Sequence, residues 1–324
     1  MKKRGSDDGL QPIGAIMRRA GMAPPSRTLL RQIDAAATIR QFQPVDDDLA
    51  FQHTYFCQTA LPYRKTAERA WLRKNGRVFL RIEAGGTMHP ETQEWVEFPI
   101  PFGPAARLIL IHLDTEAIRT QRPEIELEDS MTAFVKRLQG GRNPNGQELR
   151  LFKSQAAAIS TAVFRMGETT APGVDIPRTT QGQGPIVNGL ELWYPKDARQ
   201  RVLWPSYVHL SADYFASLKT HAVPLDYRAV GALAHNALAL DIYKWLAQRL
   251  CRIDPARPQF IAWTRMQDQF GMGYSKIRFF RRAWLRTVKQ VFHQYPDAEK
   301  TVKCDGRGVT LHLTRPPIQR KALA

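Results

Sequence analysis

RPQFIAWTRMQDQFGMGYSKIRFFRRAWLRTVKQVFHQYPDAEKTVKCDGRGVTLHLT, residues 257–314, decides the fold. Arg257–Ala262 reads as a brief strand, WTRMQDQF as a helix, GMG as a turn and Tyr274–Tyr295 as a long helix. Thr301–Cys304 and Val309–Thr314 then read as two strands joined by DGRG. Asp305-Gly306 is the hairpin-turn signal, because glycine adopts the positive φ that a tight turn needs. Strand, helix, turn, helix, hairpin is the order of a winged-helix module.

Working upstream, the same order recurs without obvious sequence identity. Glu124–Leu127 is a short run, and SMTAFVKRLQ is a helix opened by Asp129 or Ser130 as N-cap. A Gly/Asn/Pro turn at Gly140–Gly146 leads into a longer helix from Gln147 to Arg165. Gly189–Tyr194 and Val202–Leu210 can pair as strands across the Pro195–Asp197 turn. Before this unit, Pro104 starts a buried helix carrying Leu108, Ile111 and Ile118. A small sheet is expected from GRVFLRIEAGG and Glu94–Ile100, and a helix over Leu225–Leu250 opens the second unit. The polar segment 168–185 is expected to be a mobile loop. Residues 1–60, with short helical stretches at Ile13–Ala20 and Ser26–Arg40 interrupted by Pro24-Pro25 and Asp46–Asp48, read as a loosely ordered arm. The expected fold class is therefore α+β: two tandem winged-helix (helix-turn-helix) domains with small antiparallel sheets, at 70–210 and 211–324, preceded by an arm at 1–69.

The chain has 324 residues, enough for two domains at ~100–200 residues each. Its 47 Lys and Arg against 30 Asp and Glu leave a net charge of +17. That excess is uneven: the segments 1–84, 85–200 and 201–324 carry +7, −2 and +12. A near-neutral middle beside a basic final third points to one specialised face, with nucleic acid as the leading partner and an anionic membrane surface as the weaker one. The longest apolar runs, such as Leu108–Ile111 and Ala229–Leu240, fall short of the ~18–20 residues of a spanning helix. No apolar block follows the basic opening MKKRGSDDGLQPIG, so a secretory signal is not read there and a cytoplasmic protein is expected. Cys57, Cys251 and Cys304 are widely spaced and read as reduced structural thiols.

Advanced by ~100° per residue, the helix 274–295 separates into two faces. Ile277, Phe280, Trp284, Val288, Val291 and Tyr295 share one side, with Leu285 and Phe292 at its edge. The other side holds Ser275, Lys276, Arg278, Arg282, Arg286 and Lys289, with His293 beside them. No acid interrupts the helix, so its cations lack the i,i+4 carboxylates that usually relieve repulsion on a solvated face. A phosphate-lined groove is the more economical explanation, and Arg suits guanine and phosphate through its fork of donors. On the helix of the first unit, Leu149, Phe152, Ala156, Ile159 and Val163 make the apolar stripe. Arg150, Lys153, Ser154, Ala157, Thr161 and Arg165 make the candidate contact face, equally readable as an ordinary exposed surface. In the final hairpin Lys300, Lys303 and Arg307 are candidate backbone contacts or solubilising charges.

The sequence holds no phosphate-binding G-x-x-x-x-G-K-[ST], no H-E-x-x-H, no C-x-x-C and no H-x-H pair. Tyr63, Tyr207, Tyr214 and Tyr243 read as packing residues. No catalytic residue, metal or cofactor is assigned.

The phrases PIPFGPAARLILIHLDTEAIRTQRPEIELEDSMTAFVKRL (99–138), VPLDYRAVGALAHNALALDIYKWLAQRL, FIAWTRMQDQFG and RRAWLRTVKQVFHQYPDAE resemble the plasmid-encoded RepA replication initiators of Gram-negative bacteria. The resemblance runs roughly over residues 70–315. It implies an initiator with two winged-helix domains that binds direct repeats, called iterons, in double-stranded origin DNA. Opening of an adjacent A·T-rich segment, recruitment of host replication proteins (the helicase and the host initiator), copy-number control, and autorepression by a homodimer are further implications. Residue pattern alone leaves a sequence-specific transcription regulator as the alternative. A membrane role ranks last, because the apolar face of 274–295 is wanted for the core.

Overall fold

In the computed structural model the described residues are 25–128, 130–170, 178–189 and 207–318. The chain mixes helices with small antiparallel sheets. Helix α1 (Arg27–Gln41) is capped by Ser26 and followed by strand β1 (Leu49–His53) and the short helix α2 (Thr54–Gln58). Strands β2 (Ala70–Asn75), β3 (Val78–Glu83), β4 (Gly86–Met88) and β5 (Trp95–Glu97) lead to the long helix α3 (Gly103–Thr120). Next come β6 (Glu124–Glu126), α4 (Met131–Leu138), α5 (Gly146–Thr161), β7 (Val163–Thr169), β8 (Thr179–Gly184), β9 (Val187–Gly189) and β10 (Tyr207–Leu210). The remainder is α6 (Ala212–His221), β11 (Ala222–Asp226), α7 (Tyr227–Leu233), α8 (Ala237–Arg249), β12 (Gln259–Ala262), α9 (Trp263–Phe270), α10 (Ile277–Gln294), α11 (Pro296–Thr301), β13 (Val302–Cys304) and β14 (Gly308–Leu311).

One topology occurs twice. Helix, strand, helix, helix and a closing pair of strands appear as α3, β6, α4, α5, β9 and β10, with β7 and β8 inserted after α5, and again as α8, β12, α9, α10, β13 and β14, with α11 inserted after α10. In each case the last strand lies between the other two, giving the sheet orders β6-β10-β9 and β12-β14-β13. Of the pairing expected between Gly189–Tyr194 and Val202–Leu210, the described residues show β10 against β9, with Leu210 opposite Val187 and His209 opposite Gly189, so the first strand begins before Gly189. The connecting residues, and Asp129, lie outside the described residues, as do Ile13–Ala20 and Pro24. Ser130 is the N-cap of α4, accepting from Ala133 N at 3.2 Å.

Several expectations are corrected. The presumed arm is folded from Arg27 onward: α1 packs on α7 and α10, and β1 pairs with β11, Ala50 opposite Leu225. Short apolar stretches there gave little periodicity, yet Ala50, Phe51 and Phe56 are buried. The presumed loop 168–185 instead holds most of a hairpin, β7 against β8, whose tip at 171–177 lies outside the described residues. Its polar Thr/Gln/Gly content suits an exposed edge strand, since backbone hydrogen bonds need no apolar side chains. With β2 and β3 it forms the sheet β2-β3-β7-β8, while Trp95–Glu97 pairs separately with β4. The helix expected over 225–250 is a strand and two helices, because Asp226 caps α7 and Asn236 caps α8. The helix expected to reach Arg165 stops at Thr161, and Phe164 enters the sheet opposite Ile82.

The repeated units share one continuous apolar core. Helices α3 and α8 are buried around nearly their whole circumference, the charged Arg107, Asp114, Asp241 and Lys244 included, and they pack on each other. Between them lies Arg107, with 0% exposure. Its guanidinium donates to Asp241 Oδ1 (2.8 Å) and Oδ2 (2.7 Å), and to the carbonyls of Leu61 (2.7 Å), Pro62 (3.2 Å) and Gly103 (2.8 Å). Every donor of the fork is used, which is what makes burial of this charge tolerable. Lys244 Nζ approaches the same carboxylate at 3.3 Å.

Candidate nucleic-acid interface

Helix α10 forms because its apolar residues recur at helical spacing and have a core to fill. Phe280, Trp284, Val288, Val291 and Phe292 are buried, and Trp284 and Phe280 meet Trp263 of α9 edge to face at 5.5 and 6.4 Å between ring centroids. Its far end is held by Gln294, whose side chain donates to Gln32 O of α1 at 2.9 Å. The turn before it depends on Gly273, which sits at φ 80°. Arg278, Arg282, Arg286, Lys289 and His293 are all exposed, as are Ser275 and Lys276 just before the helix. Lys276 is the N-cap and offers no side-chain cap bond. Ile277, expected on the apolar face, is instead 39% exposed, since that face begins only at Phe280.

The final hairpin is fastened to this helix. Arg281 donates to the carbonyls of Asp305 (3.1 Å) and Gly306 (3.5 Å) while its guanidinium stacks 5.5 Å from the Trp263 ring. Trp263 Nε1 donates to Asp305 O at 3.0 Å. Sequence reasoning missed Arg281; it sits between the apolar and cationic sides of the helix, where periodicity assigns no role. Gly306 does not take the positive φ expected of it. The turn is closed by the Asp305 carboxylate, which accepts from Arg307 N (2.7 Å) and Gly308 N (2.9 Å), and these bonds hold its pKa below the usual carboxylate value. At Gly308 a Cβ would collide with Ile261 O and lie 2.8 Å from the Phe260 ring, so only glycine lets β14 approach β12 so closely.

Arg278, Arg281 and Arg282 line one open depression with Ile277, Leu285 and the hairpin residue Arg307. Arg286 and Lys289 continue the cationic stripe beyond it, four and seven positions after Arg282. Lys300 and Lys303 are exposed but do not line the depression. Among the described residues, Arg307 has only the exposed Asp305 for a counter-charge, at 3.6 Å.

The first unit is less basic. Arg150 and Lys153 are exposed on α5 and Ser154 is half-buried. Ala157 is 4% exposed, so it belongs to the packed side, and Thr161 spends its hydroxyl on Ala157 O at 3.0 Å. Arg165 is not on the helix at all: it lies on β7, 2.6 Å from Glu83 Oε2 and bonded to Gln183 at 3.0 Å. Arg142 pairs with Glu148 at the start of α5, which removes one cation from that end.

Among the described residues no group of three or more His, Cys, Asp or Glu could hold a metal ion, and no helix is long and apolar enough to cross a membrane. Cys57 is buried, and Cys251 and Cys304 are exposed; all are free thiols.

No curated protein matches the chain. Among solved structures, a selenomethionine derivative of domains 2 and 3 of RctB aligns with a TM-score of 0.48 at 11% identity, covering 81% of this chain and 96% of that one. A second structure of RctB domains 2–3 gives 0.45 at 12% identity, over 78% and 93%. The sequence profile of the plasmid-encoded RepA protein matches residues 100–269. That match spans α3 through most of α9 and covers more than half of the sequence, so the chain belongs to the plasmid-encoded RepA protein family.

Proposed function

We propose that this chain is a plasmid replication initiator that binds direct repeats at its origin as double-stranded DNA, through two winged-helix modules. Family membership supports the initiator role. The twice-repeated topology, with its sheet order of first, third and second strand, supports the winged-helix reading of both modules. The observation that carries DNA binding is the exposed, acid-free stripe of α10, whose Arg278 and Arg282 share one open surface with Arg307 of the hairpin. In such modules the second helix enters the major groove and its N-terminal half reaches base edges. The hairpin then lies against the sugar–phosphate backbone. Two modules in one chain can grip successive major grooves about one helical turn apart, so no palindrome is required.

On this reading the protein performs no covalent chemistry. Bending strain, contact between neighbouring copies and supercoiling open the adjacent A·T-rich segment, and host replication proteins, the helicase and host initiator, follow. A dimer represses the protein's own gene. The test is footprinting of the full chain over its plasmid's intergenic DNA. Protected direct repeats beside an A·T-rich tract are expected; a single inverted repeat at a promoter would make the chain a transcription regulator instead.

A further inference from the structure

Phe279 stands on the cationic side of α10 and is 44% exposed. Nothing in the core requires it, because Phe280 and Trp284 already fill the buried side. At ~100° per residue it lies within about 20° of Arg286 and about 60° of Arg282 on the helix circumference. The Arg278 guanidinium covers one part of its ring at 4.8 Å from the centroid. The rest of the ring, exposed on the N-terminal half of the helix, gains by burial against an apolar partner. The surrounding cations select a polyanion, and the one apolar group that unmodified DNA presents in the major groove is the thymine C5-methyl.

We propose that Phe279 reads thymine methyl groups in the major groove, making thymine the preferred base where the first turn of α10 meets the repeat. The inference rests on the reading of α10 as the DNA-entering helix and deepens it: the arginines hold phosphates and guanines while the ring selects thymine. Arg278, stacked on Phe279, is kept beside it and positioned for the neighbouring base or phosphate.

The probe is a duplex selected from a random pool by the full chain, resynthesised with 2′-deoxyuridine replacing thymine one position at a time, which removes only the methyl. Wild-type protein is expected to lose about fourfold in affinity at one or two positions, the fold-change of about one buried methyl-sized group. Phe279→Ala, at an exposed site that leaves the fold intact by circular dichroism, is expected to bind the thymine and deoxyuridine duplexes equally, while Phe279→Leu retains part of the discrimination. Equal affinity of wild type for both duplexes, or full discrimination by Phe279→Ala, overturns the inference while leaving DNA binding standing. Failure of wild type to enrich any sequence overturns the DNA reading itself, and this inference with it.

Discussion

Neutralising part of the cationic stripe should change how DNA binding responds to salt. The exposed cations proposed to meet phosphates or bases are Lys276, Arg278, Arg282, Arg286, Lys289 and Arg307 in the second module and Arg150 and Lys153 in the first. If each neutralises one phosphate, counterion release at ~0.9 per phosphate gives log affinity a slope of about −7 against log salt. Raising salt from about 50 to about 200 mM then weakens binding by roughly 10⁴-fold. Arg286→Ala combined with Lys289→Ala removes the cations at the far end of the stripe, and the slope should become shallower by about 1.8. Fluorescence anisotropy on a fixed repeat-bearing duplex, with salt stepped through that range, measures both slopes. A wild-type slope near zero, or an unchanged slope in the double variant, would refute the assignment of this face to DNA.

Arg107→Met leaves Asp241 buried with Lys244 alone, and a loss of about 3–5 kcal/mol in urea unfolding is expected; a loss below ~1 kcal/mol would mean that the pair is not holding α3 against α8. Burial lowers the His53 and His112 pKa values to about 3 and raises that of Asp114 to about 7. Between pH about 6 and about 5 the unfolded chain holds nearly two imidazole protons that the fold refuses, while the folded Asp114 keeps one that the unfolded chain has released. Stability should therefore fall with acidification over that window by up to about 1.4 kcal/mol per pH unit, and more steeply, toward about 2.7, in Asp114→Asn; denaturant midpoints at stepped pH give both slopes, and identical slopes contradict the assignment. Gly308→Ala should cost ~1–3 kcal/mol by forcing β14 away from β12, and an unchanged melting temperature would refute that close approach. Arg281→Ala should weaken DNA binding by freeing the hairpin while the salt slope stays unchanged; a slope shallower by about 0.9 would make Arg281 a phosphate contact instead.

How much was legible in the sequence differs between the two modules for physical reasons. In the second, α10 carries large apolar residues at strict helical spacing against an unbroken cationic side, so its two faces could be read almost residue by residue. In the first, α5 is rich in alanine, which packs or faces solvent with little change in free energy; Ala157 was accordingly placed on the wrong side. Arg165 was misassigned because Val163 fits the helical stripe as well as a strand, and only pairing with β3, far away in sequence, decides between them. The same non-local dependence hid β1, whose partner β11 lies beyond the first module, and β8, whose polar side chains give no period at all. Arg281 and Asp305 act through backbone carbonyls and amides, and such roles leave no trace in side-chain pattern.

If both modules grip DNA as proposed, the Arg107–Asp241 pair turns two grips into a single caliper. Because the jaws are joined through buried side chains rather than a tether, their separation is set by the protein interior and does not adapt to the text being gripped. One base pair inserted between the two contacted segments of a repeat would shift the second by ~3.4 Å and rotate it by ~34°. A tethered pair would absorb that step; this one has to twist the duplex or let go. On that proposal, spacing inside each repeat would be selected as strictly as the bases themselves.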